Sequence, residues 1–186
     1  MDPIAPIIGL VDKTEELIGH SPHPAIVAVP IGAWTVSNIC DGLALLTGNK
    51  RYDDAARLSM AIGLAGAVGA IVTGLRDYSY IPKERPSHAI ATKHAVGNSV
   101  VGSLFATSYV LRVRDHKAGE PTSLLARVLG IAGGGLMLYT SWLGGVLVEE
   151  HGEGVKPVME QMDSDEETHG REGLAPESPL GLLAGS

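Results

Sequence analysis

Val128–Val148 reads VLGIAGGGLMLYTSWLGGVLV, a run without a single Asp, Glu, Lys or Arg. At about 1.5 Å of rise per residue, a helix of this length matches the roughly 30 Å hydrocarbon core of a bilayer. Three more charge-free runs precede it: Pro24–Cys40, Leu58–Leu75 and Ala95–Leu111. Hydrocarbon offers no partner to backbone N–H and C=O groups, so such segments must satisfy them internally, as helices. Reading outward to the turn signals predicts helices over residues 24–46, 56–77, 88–113 and 124–148.

The joints between the runs are short. Thr47-Gly48-Asn49 ends the first helix, and Asp53-Asp54 suits the start of the second. Pro82 and Pro86 force a loop, and Gly119 and Pro121 mark another, with Thr122 or Ser123 placed to cap the last helix. Short connections favour antiparallel neighbours. The expected fold is therefore all-α, an integral membrane antiparallel four-helix bundle over residues 23–156. Before it stands an N-terminal tail or interfacial helix, 1–22; after it, a disordered acidic tail, 157–186. Pro3–Val11 has no basic region ahead of it and is short for a span, so the first span is expected to serve as its own insertion signal.

Composition agrees with lipid as the solvent. Mean hydropathy is only +0.16, because apolar runs are averaged with polar tails. The chain has 24 glycines and one phenylalanine, which suits close backbone approach better than a bulky soluble core. Gly63, Gly66, Gly69 and Gly74 recur along one run, Gly130, Gly133, Gly134 and Gly135 along another, and Gly102 lies in a third. Net charge is −7, and Asp163, Asp165, Glu166 and Glu167 cluster near the C-terminus, which excludes a nucleic-acid partner needing phosphate neutralisation. A lone Cys40 cannot make an internal disulfide, a multi-cysteine zinc site or an iron–sulfur cluster.

Alternating spans sort the polar residues by end. One end collects His23, Asp77, His88, His94, Asn98, Gly144-Gly145 and His151. His94 and Asn98 share a helix face, while His88 is turned about 120° from His94. His23 and His94, on different helices at similar depth, are candidate ligands of a metal such as haem iron, with Asn98 and Asp77 supporting them. Each also has a plainer reading: His23 as a residue at the helix start, His94 with Asn98 as an interhelical hydrogen-bonding pair, Asp77 as a partner of Arg76, Lys93 or a histidine. The opposite end holds Asp41, Arg57, Arg112 and Arg127, expected to form a structural clamp. Trp34 and Trp142 are either packing residues or interface anchors.

His23-Pro24-Ala25-Ile26-Val27-Ala28-Val29-Pro30-Ile31-Gly32 followed by Asp41, Gly74-Leu75-Arg76-Asp77, His94-Ala95-Val96-Gly97-Asn98, Arg112, Gly144-Gly145-Val146-Leu147-Val148 and His151-Gly152-Glu153-Gly154-Val155 form an ordered set over residues 20–156. This set resembles the bacterial predicted membrane proteins called domain of unknown function 2231. The resemblance implies a four-helix membrane domain, fused in some members to a Rieske iron–sulfur domain. Here the segment after Glu149 lacks the cysteines of such a cluster, and Glu149-Glu150 replace the aromatic residue that often precedes the last histidine.

The function expected first is a non-enzymatic accessory or scaffold subunit, since no nucleophile–base motif is present. The alternatives are a haem b-binding electron-transfer component with His23 and His94 as axial ligands, and a small transporter or proton path using Asp41, Asp77 and His94. The partners expected are the bilayer and either a redox protein or further copies of the chain. The balance of Lys and Arg in the short connections puts the Lys50 and His116 loops inside, so both termini lie outside the inner membrane.

Overall fold

The computed structural model describes residues 5–155 and 160–165, among which helices joined by short connections are present and strands are not. Five helices follow in order: α1 Ala5–Ile18, α2 His23–Thr47, α3 Lys50–Ser79, α4 Pro86–Lys117 and α5 Leu124–Glu149. Three of them, α2, α3 and α5, are long and apolar enough to cross a membrane. α4 is not among the three. Its central run carries hydroxyls where the others carry aliphatic groups, and Ser99, Ser103 and Thr107 each donate to a carbonyl four residues back, at 2.8–2.9 Å. Internal bonds of this kind remove the need for water at those hydroxyls.

Helix boundaries differ from expectation where capping was misread. α3 begins at Lys50 rather than 56, because Asn49 caps it by accepting from the Arg51 N–H at 3.1 Å. Gly48, at φ 66°, takes the left-handed conformation that ends α2 at Thr47, one residue past the expected 46. α4 runs from Pro86, a proline that suits a first turn, to Lys117. Ser123 makes no side-chain cap for α5; instead its N–H donates to Asp115 Oδ2 at 2.8 Å. Most of the tail expected to be disordered, including Glu166 and Glu167, lies outside the described residues, although 160–165 are helical and Asp163 pairs with Arg85.

α2 packs chiefly along α3, and α4 along α5; α1 lies against α3. Small residues set the closeness of both pairs. A Cβ at Gly63 would fall inside the Trp34 indole, and one at Gly133 would lie 3.0 Å from Phe105. Each pair is also pinned by a buried hydroxyl: Ser37 Oγ donates to the Ala56 carbonyl at 2.9 Å and Ser108 Oγ to the Ala126 carbonyl at 2.6 Å. Between the pairs, Trp34 and Phe105 stack at 4.1 Å with Met60, Val101 and Met137 around them. Trp34 is thus a packing residue, whereas Trp142 is exposed beside Tyr139. Gly102 and Gly135 meet no neighbour.

The outer surface is apolar. Val36, Ile39, Leu58, Ile62, Val68, Ile71, Val110, Ile131 and Leu138 all stand exposed. So much outward aliphatic surface is foreign to a water-facing domain and natural against lipid chains.

Gly63→Leu is expected to lower the thermal midpoint of detergent-solubilised protein, with an overpacking cost of about 1–3 kcal/mol. Gly135→Leu, in open space, should leave it unchanged, and a thermal-shift assay compares the two.

Candidate functional site

The end where α2 begins gathers elements from every long helix. Ser21, just before α2, donates its hydroxyl to Asp77 Oδ2 at 2.6 Å and accepts the His23 N–H at 3.2 Å. Asp77 therefore supports the start of α2 and, in Arg76, takes one of the partners expected for it. Its other oxygen takes Arg76 at 3.3 Å, and Arg76 also holds Asp12 and Glu15 of α1. One guanidinium thereby ties α1 to the end of α3.

His23 turns its ring onto Gly74, where a Cβ would lie 2.7 Å from its Cε1. Its Nδ1 is 3.0 Å from Thr73 Oγ1. Thr73 spends its own proton on carbonyls of the preceding turn, Gly69 at 2.9 Å or Ala70 at 3.3 Å, so toward the ring it accepts. His23 thus carries its proton on Nδ1 and a lone pair on Nε2. His94 lies on Gly144 in the same way, 3.1 Å from a Cβ there, and its Nδ1 donates to the Thr140 carbonyl at 2.8 Å. The Asn98 amide donates to the His94 carbonyl at 2.9 Å, which fixes its orientation and leaves Nδ2 3.2 Å from His94 Nε2. That nitrogen faces a donor, the arrangement in which Nε2 offers its lone pair. Thr140 Oγ1 lies 3.1 Å from both Asn98 Oδ1 and the Met137 carbonyl, and its single proton serves one of them at a time. His94 and Asn98, both on α4, make their hydrogen bonds across to Thr140 of α5.

The other histidines stand apart. His88 packs on the Tyr78 ring at 5.1 Å, His20 meets the Ser21 carbonyl, and His116 pairs with Asp54. His151 is half-buried past the end of α5, and His169 lies outside the described residues. Glu153, missed in the sequence, is 7% exposed and accepts the Ser87 hydroxyl at 2.6 Å, joining the α5 end to the start of α4. Among the described residues, no group of three or more His, Cys, Asp or Glu side chains could hold a metal ion.

The opposite end is an ionic lock. Arg112 makes a two-pronged pair with Asp41, the side chains being 0% and 2% exposed, and its Nε donates to Ser108 Oγ at 3.2 Å. Arg127 donates to the Asp41 carbonyl at 2.9 Å and pairs with Asp53 at 2.7 Å. Arg57, expected in the clamp, pairs instead with exposed Asp54 at 3.4 Å, and its buried Nε has no hydrogen-bond partner. Asn38, one turn before Asp41, donates to the Gly130 carbonyl at 3.1 Å.

Residues 19–157 match a family model described as Predicted membrane protein (DUF2231). No curated protein and no solved structure matches the chain.

Arg112→Met is expected to destabilise by about 3–5 kcal/mol, because it strands a buried carboxylate. Arg57→Met should cost under about 1 kcal/mol, the value of an exposed pair. Unfolding of both variants in mixed detergent, followed by circular dichroism, reads the difference.

Proposed function

The chain belongs to the family of predicted membrane proteins called domain of unknown function 2231, and from that premise we propose that α2–α5 cross the bilayer as an antiparallel four-helix bundle acting as a non-enzymatic accessory or scaffold subunit. The observation that carries this reading is the division of labour among its polar groups. Nearly every buried one holds helices together: Asp41 with Arg112 and Arg127, Ser37, Ser108, and Asp77 through Ser21. Little is left poised as a nucleophile or base. The bundle spans residues 23–156, α1 lies along the interface, and both termini face outward from the inner membrane. The acidic C-terminal segment contacts the partner, either a redox protein or another copy.

The haem-binding alternative keeps one specific observation in its favour. His23 and His94 both bind locally through Nδ1, which leaves Nε2 as the ligating atom, the arrangement metal-bound imidazoles commonly have. The donor set therefore fits axial ligation, with the Asn98 amide yielding its place at His94 Nε2. Bound there, haem b would supply one-electron redox chemistry; Thr73 and Thr140 would keep the two rings oriented. A proton path through Asp41, Asp77 and His94 has less support, since Asp41 is held by two arginines and Asp77 by Ser21 and Arg76.

In-membrane crosslinking followed by co-purification tests the scaffold reading. A discrete partner or a homo-oligomer is expected, and a monomer alone overturns it. Cysteines introduced at Gly119 and at Lys83 in a Cys40→Ser background test the topology: an impermeant maleimide should label only position 83 in intact cells.

A further inference from the structure

The helix pairs α2–α3 and α4–α5 repeat one another. His23 and His94, Trp34 and Phe105, Ser37 and Ser108, and Asp41 and Arg112 are each 71 positions apart. Ala56 and Ala126, Arg57 and Arg127, Gly63 and Gly133, and Gly74 and Gly144 keep an offset one residue shorter. The contacts repeat with the residues. Ser37 bonds the Ala56 carbonyl as Ser108 bonds that of Ala126. Trp34 covers Gly63 as Phe105 covers Gly133, and His23 covers Gly74 as His94 covers Gly144. The partner of each Nδ1 differs: the Thr140 carbonyl for His94 and the Thr73 hydroxyl for His23.

Equivalent residues also meet each other between the pairs. Trp34 stacks on Phe105 and Asp41 pairs with Arg112, as residues near a two-fold axis do. The odd behaviour of Arg57 then has a cause. Arg127 reaches Asp41, so its counterpart Arg57 reaches toward position 112, where it finds an arginine in place of a carboxylate. It turns to Asp54 and leaves its Nε unpartnered.

We propose that His23 and His94 are the two halves of one composite site on this pseudo-two-fold axis, taking a single metal centre that accepts Nε2 from each ring. The proposal rests on the cofactor reading of the histidine end and extends it. His94 Nε2 accepts from the Asn98 amide at 3.2 Å, so a metal centre taken there displaces that hydrogen bond. No third ligand cluster stands nearby among the described residues, so the centre brings its other ligands with it or needs only two. An iron porphyrin meets the first condition and a cuprous ion the second. The two-fold relation that brings Trp34 onto Phe105 and Asp41 onto Arg112 also relates these two rings.

The test uses the full chain in detergent, titrated with haemin in one arm and with anaerobic cuprous ion in the other. One equivalent should bind per chain in the arm that identifies the source. His23→Ala and His94→Ala should each weaken binding by about tenfold or more and by similar factors, with the double variant little worse than either. In the haemin arm the low-spin spectrum of two axial imidazoles should become high-spin in each single variant. Binding of neither probe, dependence on one histidine alone, or two equivalents per chain overturns the composite site.

The repeat is tested apart from the site by exchanging its charges. Asp41→Arg with Arg112→Asp should fold and melt near the wild type, with Arg57 taking over the role of Arg127, while Asp41→Arg alone should not. Failure of the double exchange to recover the fold overturns the two-fold frame. A recovered fold that binds neither probe overturns the site and leaves the membrane bundle standing.

Discussion

A carboxylate and a guanidinium buried together fix how the two halves of this molecule meet. Asp41 on α2 and Arg112 on α4 are almost wholly shielded from solvent. Desolvating two charges costs several kcal/mol each, and their attraction offsets that cost only when the remaining donors and acceptors are also met. Here they are. Ser108 takes the Arg112 Nε, and Arg127 brings a second positive group to the same carboxylate. Ser108 in turn pins α4 to α5 through the Ala126 carbonyl, so the lock and the helix pairing share an atom. Replacing such a lock by aliphatic groups could equal it in stability. A paired charge adds register, because a shift along either helix would strand both ions away from water.

The same closeness of packing places the imidazoles at the other end. A ring can lie flat on a neighbouring helix only where that helix has no side chain, which is the part Gly74 and Gly144 play. Once seated there, each ring finds a hydrogen-bond acceptor at Nδ1 and turns Nε2 away from its own anchor. Ring orientation and the nitrogen engaged thus follow from two missing Cβ atoms and a pair of local partners. α1 and the C-terminal segment close around this end through Arg76 and Arg85, both largely buried guanidiniums holding carboxylates.

Much of the fold was legible because lipid imposes a coarse rule. Charge-free runs of bilayer length must be helices, and the polar residues at their ends had to sort into two groups. What escaped was written in single atoms. Asn49 as the cap of α3 was hidden by the stronger-looking Asp53-Asp54 pair, now inside the first turn. Thr73 and Thr140 read as ordinary small residues of an apolar run, and nothing in their spacing announced that one offers a hydroxyl and the other a backbone carbonyl to an imidazole. Asp77 pairs with Arg76, one of the partners read from the sequence, but its place beneath Ser21, one residue before Pro22, is one that only the turn between α1 and α2 creates. Arg57 matched Arg127 in depth and type, and nothing in the spacing separated them.

The internal repeat was hidden for a related reason. The two halves share few identities, and at the most conspicuous position they differ in sign, Asp41 against Arg112. That difference is what a fused two-fold needs. Two identical charges facing across an axis would repel inside a low-dielectric core, whereas one carboxylate and one guanidinium attract. Once the halves sit on one chain, they are free to diverge in this way. The histidines, the glycines beneath them and the serines that pin each pair have stayed alike. Divergence also reached the rings' surroundings: Asn98 covers His94, and the corresponding position on α2 is Val27, which offers no hydrogen bond. The two imidazoles thus keep the same scaffold and proton position while differing in what stands over Nε2, so a ligand shared between them would meet one open nitrogen and one it must uncover.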